Sequence, residues 1–197
     1  YSLYDQDEGR GINIREDLEQ SNFVIQKRYF RRQNLDETGE IQFGTGGWRA
    51  VIGEGFTLFN VRRLCQALAN EMIRNGRERQ GVMIGFDRRF LSNRAAEAGA
   101  EIFAGNNIKT YLMKEDSPTP LIEFAADSCH TAYGLAFTAS HNAPEWNGLK
   151  VFYGNGGFLM TEETTLVENE ANRMSAADFV RIPLAAALSA GIVEYCD

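Results

Sequence analysis

What this sequence lacks narrows its role first. No apolar run approaches the roughly 20 residues that span a bilayer, and the residues after Tyr1 carry no basic-then-apolar signal pattern. No membrane partner is therefore expected. Cysteine occurs three times, at Cys65, Cys129 and Cys196, without metal-ligand spacing and without the even number of a disulfide framework. Reduced thiols in a cytoplasmic protein are the expectation. Histidine occurs only as His130 and His141, so there is no paired His/Cys zinc spacing. Positive charge is in deficit: 20 Lys and Arg face 27 Asp and Glu, a formal net charge of -7. That balance excludes a general nucleic-acid binder, though not a local pocket for an anion. Only Lys27, Lys109, Lys114 and Lys150 are lysines. The arginines suit bidentate phosphate contacts but are also common on surfaces. There is no Gly-x-Ser-x-Gly elbow, Walker loop or dinucleotide fingerprint, and no internal repeat.

What is present is ordinary for a globular chain. It has 197 residues, 44% hydrophobic and 24% charged, enough for one domain with a core or one domain plus an extension. Residues 1–40 read as an N-terminal extension, partly helical over Leu18–Gln33. Its basic and aromatic cluster, Lys27-Arg28-Tyr29-Phe30-Arg31-Arg32, fits a docking or anion-contacting helix, or an amphipathic helix with its charges in water. The second reading is preferred.

Residues 41–190 alternate strands and helices. Thr57 caps a helix closed by Asn75-Gly76. Val82–Phe86 is a buried strand ending in Asp87-Arg88-Arg89. Ser92 or Asn93 caps a helix to about Asn106, and Ile108–Met113 is a strand. Ser117-Pro118-Thr119-Pro120 opens a helix through Ser128. Ala132–Phe137 is a buried strand, Lys150–Tyr153 another, and Gly154-Asn155-Gly156-Gly157 a turn. Thr161–Arg173 is an acidic helix. This order predicts an α/β fold: a mostly parallel mixed sheet with helices on both faces, three layers in all. Loops at the strands' carboxyl ends then form the site. That brings Asp87-Arg88-Arg89, the 117–120 turn and the loop after Phe137 to one edge.

The last of these loops is the centre of the chain. In Thr138-Ala139-Ser140-His141-Asn142-Ala143-Pro144-Glu145-Trp146-Asn147-Gly148-Leu149-Lys150, small residues flank a serine and a lysine follows ten positions on. His141 adjoins Ser140, and adjacent side chains usually diverge, so a hydrolase triad is disfavoured. Phosphoryl transfer fits better, because a serine can carry a phosphoryl group while Lys150 and Arg49 balance its charge. Upstream, Phe43-Gly44-Thr45-Gly46-Gly47-Trp48-Arg49 is either a loop whose backbone N–H groups approach an anion or a tight turn between strands.

Thr138–Asn142 with Asn147–Lys150 resembles the phosphoserine loop of the α-D-phosphohexomutases, the phosphoglucomutases, phosphomannomutases and phosphoglucosamine mutases. Phe43–Arg49 is similar to that family's Phe-Gly-Thr-x-Gly-x-Arg segment. Pro118–Pro120 and Gly85-Phe86-Asp87-Arg88 match in kind and order. The resemblance runs from about Ile41 to Tyr153. Ala143, where proline is usual, and Ala50, where glycine is commoner, mark a divergent branch and leave the serine assignment intact.

The resemblance implies domain I of such an isomerase. Ser140 would pass its phosphoryl group to a phosphosugar and recover the other one from the bisphosphorylated intermediate. Lys150 and Arg49 would lie beside the phosphoserine and assist proton transfer, and His141 would position the reacting hydroxyl. The substrate- and phosphate-binding set would be Thr45, Gly46, Arg49, Ser140, His141, Asn142 and Lys150. Mg2+ would be held by the phosphoryl group of Ser140 and by an Asp-x-Asp-x-Asp segment of a second domain. Glucose 1,6-bisphosphate, or an equivalent hexose bisphosphate, would be the activator.

No Asp-x-Asp-x-Asp occurs here. Family members have four domains and more than twice this length. The expectation is therefore a first domain, inactive alone, with the remaining domains in the same polypeptide and residues 191–197 starting the linker to the second. The alternative is a non-catalytic phosphosugar-binding or interaction module of the same fold. The sugar stays open among glucose, mannose and glucosamine phosphates, with glucose 1-phosphate favoured.

Overall fold

Strand alternation divides the buried side chains between two faces. In Val82–Phe86, Val82 and Ile84 enter one core while Met83 enters another. The computed structural model describes residues 39–44 and 46–197. The helix and basic cluster expected within 1–40 lie outside the described residues, as does Thr45.

The strands are β1 (Phe43–Gly44), β2 (Gly47–Val51), β3 (Val82–Phe86), β4 (Thr110–Met113), β5 (Tyr133–Phe137), β6 (Trp146–Tyr153) and β7 (Val193–Cys196). The helices are α1 (Leu58–Arg74), α2 (Ser92–Gly105), α3 (Thr119–Ser128), α4 (Thr161–Arg173) and α5 (Leu184–Ser189). One seven-stranded sheet has the order β1-β2-β6-β5-β3-β4-β7. β5, β3, β4 and β7 are parallel, whereas β1, β2 and β6 join antiparallel. Helical crossovers explain the parallel part. β5 and β6 are joined by residues 138–145 alone, with no helix to carry the chain back, so they pair antiparallel.

The first face is covered by α1, α2, α4 and α5, around Trp48, Phe56, Leu64, Phe103 and Phe137. Trp48 stacks on Phe56 with centroids 5.3 Å apart. The second face carries α3, whose Ile122, Ala125 and Ala126 meet Met83, Met113, Ala136 and Phe152. Each large side chain fully buried this way contributes about 1.5–3 kcal/mol. The result is the three-layer α/β/α arrangement expected. Among the described residues no helix is long and apolar enough to cross a membrane.

Local signals worked where chemistry is local. Thr57 Oγ1 accepts from Asn60 N at 3.1 Å and caps α1, which closes through Asn75 and Gly76. α3 begins with Pro120 in its first turn, and α4 spans the residues expected. Three readings change. α2 is entered through Leu91 at φ 66 without a side-chain cap, because the Ser92 hydroxyl donates to Asp87 Oδ1 instead. β6 begins at Trp146, four residues before the expected strand, because it pairs with both β2 and β5. Residues 191–197, expected to start a linker, contain β7, which pairs parallel to β4 from Thr110–Val193 to Met113–Cys196. Val193 is buried in the first core, which draws this segment into the sheet.

Candidate active site

Strand ends converge at one edge of the sheet. Asp87 N, just past β3, donates to Phe137 O at the end of β5 at 3.1 Å. Ser117 N donates to Phe86 O at 2.8 Å, laying the turn before α3 on the same edge. The loop 138–145 leaves β5 there and returns as β6. The fully buried Ala139 anchors it. Thr138 Oγ1 accepts from Ser140 N at 2.9 Å, and Ala139 O accepts from Asn142 N at 3.1 Å. Between these bonds Ser140 adopts φ 58. Such left-handed backbone costs a residue with a β-carbon on the order of 1 kcal/mol or more. Ser140 and His141 are both exposed.

Arg89 holds the loop. Its Nη2 donates to Ser140 O at 2.7 Å and Asn142 O at 2.6 Å, and its Nη1 to Ala143 O at 2.9 Å and Trp146 O at 3.0 Å. Its Nε lies 3.4 Å from Asp87 Oδ2. Asp87 Oδ1 accepts from Arg89 N at 3.0 Å and from Ser92 Oγ at 2.8 Å. In sequence, Asp87-Arg88-Arg89 reads as a single charged loop. Nothing in one dimension shows which of two adjacent arginines turns inward.

The cations of β2 and β6 follow from register. Arg49 faces Gly148, and Lys150 faces Ala136 on β5. Gly148, Lys150 and Phe152 alternate along β6, so Arg49 and Lys150 share the sheet face that α3 partly covers. Arg49 Nη1 donates to Asn142 Oδ1 at 3.1 Å, while its Nε is buried with no hydrogen-bond partner among the described residues. Lys150 is half-buried, and its side chain makes no hydrogen bond or ion pair among them.

The glycine-rich stretch forms a hairpin: Gly44 pairs with Gly47, and Gly46 turns at φ 81. Gly47, at φ 127, crosses β6 so closely that a Cβ there would lie 2.6 Å from Leu149 O and 3.2 Å from Lys150 Cα. A cleft of about 590 Å³ lined by Gly46, Gly47, Val151 and Phe158 opens beside this turn.

The structure thus places Ser140, His141 and Asn142 on one loop, bonds Arg49 to that loop, and sets Lys150 on the strand it enters. Gly46 sits at the tip of the β1–β2 hairpin. Asn147 is fully buried in β6. Its Nδ2 donates to Phe90 O at 3.0 Å and Ser92 Oγ at 2.9 Å, and its Oδ1 accepts from Gly148 N at 2.7 Å. Among the described residues no group of three His, Cys, Asp or Glu could hold a metal ion. Asp87 is already spent on Arg89 and Ser92. These donors do not make a magnesium cage; a phosphorylated Ser140 would offer anionic oxygen alone.

A three-layer α/β/α domain with a serine loop at the carboxyl edge of its parallel strands is the class defined so far. Residues 40–178 match the family described as Phosphoglucomutase/phosphomannomutase, alpha/beta/alpha domain I, and the chain belongs to that family. It is 40% identical over 121 residues to a probable phosphoribomutase of Schizosaccharomyces pombe, covering 59% of this chain and 21% of that protein. It is 31% identical over 163 residues to a phosphoglucomutase of Staphylococcus saprophyticus, covering 81% of this chain and 29% of that one. A solved structure from Thermus thermophilus, assigned as a phosphomannomutase, superposes with a TM-score of 0.70 at 31% identity, covering 81% of this chain and 34% of that chain. The chain therefore spans between 21% and 34% of the length of these relatives.

Proposed function

We propose that this chain is the nucleophile-bearing domain of a phosphohexomutase, an isomerase of carbohydrate metabolism that interconverts hexose 1-phosphate and hexose 6-phosphate. The observation that carries the reading is the exposed Ser140 at φ 58, on a loop bonded to Arg49 and leading to the unpaired Lys150.

Phosphorylated Ser140 is the donor. A sugar hydroxyl, positioned by His141, attacks the phosphorus. The new O–P bond forms as the Ser140 Oγ–P bond breaks, and the proton of the attacking hydroxyl ends on the departing Ser140 Oγ, Lys150 or Arg49 assisting its transfer. Both cations offset the charge on the transferring oxygens. The bisphosphorylated sugar turns over and returns its other phosphoryl group to Ser140, so no phosphate is consumed. Magnesium, when bound, adds charge neutralisation at the phosphoryl group; its remaining ligands belong to further domains of the same polypeptide. Glucose 1,6-bisphosphate charges the serine. The site is cytoplasmic and the chain alone does not turn over.

Glucose 1-phosphate is the proposed substrate. The 40% identity to a probable phosphoribomutase makes a pentose phosphate the second reading.

Intact mass with site mapping of the full-length polypeptide, after incubation with magnesium and glucose 1,6-bisphosphate or ribose 1,5-bisphosphate, tests the proposal. One phosphoryl group on Ser140, absent in Ser140→Ala, is expected. No label with either donor would remove the covalent mechanism and favour a binding module. Full turnover by the isolated chain in a coupled assay would overturn its role as one domain of several.

A further inference from the structure

Arg88 and Arg89 are neighbours with opposite fates. Arg88 reaches outward to Asp116 with its side chain 87% exposed, while the Arg89 side chain is 15% exposed. An arginine next to a phosphate-carrying serine reads naturally as a phosphate ligand. The hydrogen bonds here leave it no donor for that task. All four Nη hydrogens go to carbonyls, three in the loop at Ser140, Asn142 and Ala143 and one at Trp146 where β6 begins, and the Nε edge faces Asp87.

We propose that Arg89 is the positioning residue of the Ser140 loop: it holds the serine in its left-handed turn by engaging three loop carbonyls and the first carbonyl of β6, and does not bind phosphate itself. Its importance for catalysis rests on the phosphoserine reading above.

The physical need is plain. A loop that reverses between two strands turns carbonyl groups away from any ladder, and each requires a donor; Ala143 O also accepts from Trp146 N at 3.0 Å, while Ser140 O and Asn142 O are met by Arg89. Four converging carbonyls match a planar fork with paired N–H groups on each terminal nitrogen. A lysine, with three donors on one atom, cannot span them. The bond at Ser140 O fixes the peptide that leaves the left-handed residue, and the bond at Asn142 O fixes the turn two residues on. Strain of this kind persists only where surrounding contacts over-determine it.

Arg89 is itself fixed. Asp87 Oδ1 accepts from Arg89 N and Ser92 Oγ; Ser92 Oγ accepts from Asn147 Nδ2; Asn147 Oδ1 accepts from Gly148 N. A continuous series of bonds therefore runs from β6, two residues before Lys150, through the start of α2 to the loop. The position of Ser140 relative to Lys150 is set through Arg89.

The test uses the present chain with Arg89→Lys, which keeps the charge and loses the fork, and Arg88→Lys as control. The first readout is the 15N order parameter of the Ser140–Ala143 amides. A rigid loop near about 0.85 is expected in the parent and the control, falling below about 0.6 in Arg89→Lys. The second is the 31P titration of phosphoserine genetically encoded at position 140. Free phosphoserine ionises for the second time near about pH 6. Placement beside Arg49 and Lys150 lowers that value by about 1 pH unit or more in the parent, and Arg89→Lys returns it towards the free value although net charge is unchanged. A general loss of stability would not move this titration in a folded sample.

An unchanged order parameter in Arg89→Lys overturns the proposal, whatever the phosphate does. A mobile loop together with no lowering in the parent leaves Arg89's hold intact and removes the cation arrangement of the mutase reading. Where Arg89→Lys fails to fold, Asp87→Asn serves: it frees the Nε edge of Arg89 and is expected to loosen the same four amides. If those amides stay as rigid as in the parent, the proposal falls.

Discussion

Arg49 and Gly148 stand directly opposite each other on β2 and β6, so two motifs far apart in sequence are one piece of structure. The absence of a side chain at 148 lets Arg49 cross towards Asn142. A Cβ there would lie 2.2 Å from Trp48 O, 3.0 Å from Thr138 O and 3.1 Å from Arg49 Cγ. Two of these atoms are backbone of the flanking segments and cannot yield without opening the pairing. Gly148→Ala is expected to cost about 2–4 kcal/mol. Urea unfolding checks it, as a lower midpoint at unchanged slope. A loss under about 1 kcal/mol would mean that β6 can shift to accommodate the methyl.

Lys150 separates function from stability. Its side chain makes no bond among the described residues, so Lys150→Ala should stay within about 0.5 kcal/mol of the parent. Under the proposed mechanism the rate of Ser140 phosphorylation falls about 100-fold or more. Stopped samples analysed by mass give the rate, and thermal unfolding gives the stability. A large stability loss with an unchanged rate would assign Lys150 to the fold alone.

At the opposite end of β5, Tyr133 is fully buried. Its hydroxyl donates to Glu71 Oε2 at 2.7 Å and accepts from Arg77 Nη1 at 2.9 Å. Arg77 also lies over the rings of Tyr133 and Tyr153, 5.9 and 5.7 Å from their centroids. Burial first, then the bond to Glu71, pushes the Tyr133 phenol far above its ordinary range. A raised acid keeps its proton more tightly when folded. Its contribution is therefore complete below the unfolded value of about 10 and is lost as pH rises beyond it. Tyr133→Phe is expected to lose about 1–2 kcal/mol at neutral pH by removing the hydroxyl that bridges Glu71 and Arg77, which keep only their ion pair at 3.9 Å across it. Its stability also falls less steeply above about pH 10. Denaturant midpoints from pH 7 to 11 decide the matter; parallel curves would rule out the coupling.

The three thiols differ in reach. Cys65 is fully buried, and burial, only partly opposed by Arg62, pushes its thiol up to about 12. Cys129 is raised by burial and by the neighbouring Cys196. The thiolate is the reactive form. Native labelling by a disulfide reagent at pH 8 is expected to reach Cys196 first, Cys129 more slowly, and Cys65 only on unfolding. Prompt labelling of all three in the folded chain would contradict this packing.

Much of the architecture is legible in the sequence, and the reason is locality. Thr57 reports a helix start because its hydroxyl needs only Asn60 N, three residues on. Pro120 and Gly76 act through their own backbone angles. Val82–Phe86 and Tyr133–Phe137 are strands buried on both faces, and continuous apolar runs announce that. Ser140 was legible because it stands between small residues at the end of such a run. β7 was hidden, because a short segment becomes a strand only when β4 offers it an edge. The Leu91 entry to α2 was hidden as well, because Ser92 is claimed by Asp87.

By itself the sequence determined the order of strands and helices, the serine loop and the family resemblance, since all of these depend on residues close together in the chain. Tertiary structure alone decided that Arg89, not Arg88, turns inward, that Asn147 is buried, and that Arg49 meets Asn142 across Gly148. Those outcomes depend on which distant carbonyls and carboxylates lie within hydrogen-bond reach. Only the packing of β6 between β2 and β5 sets that.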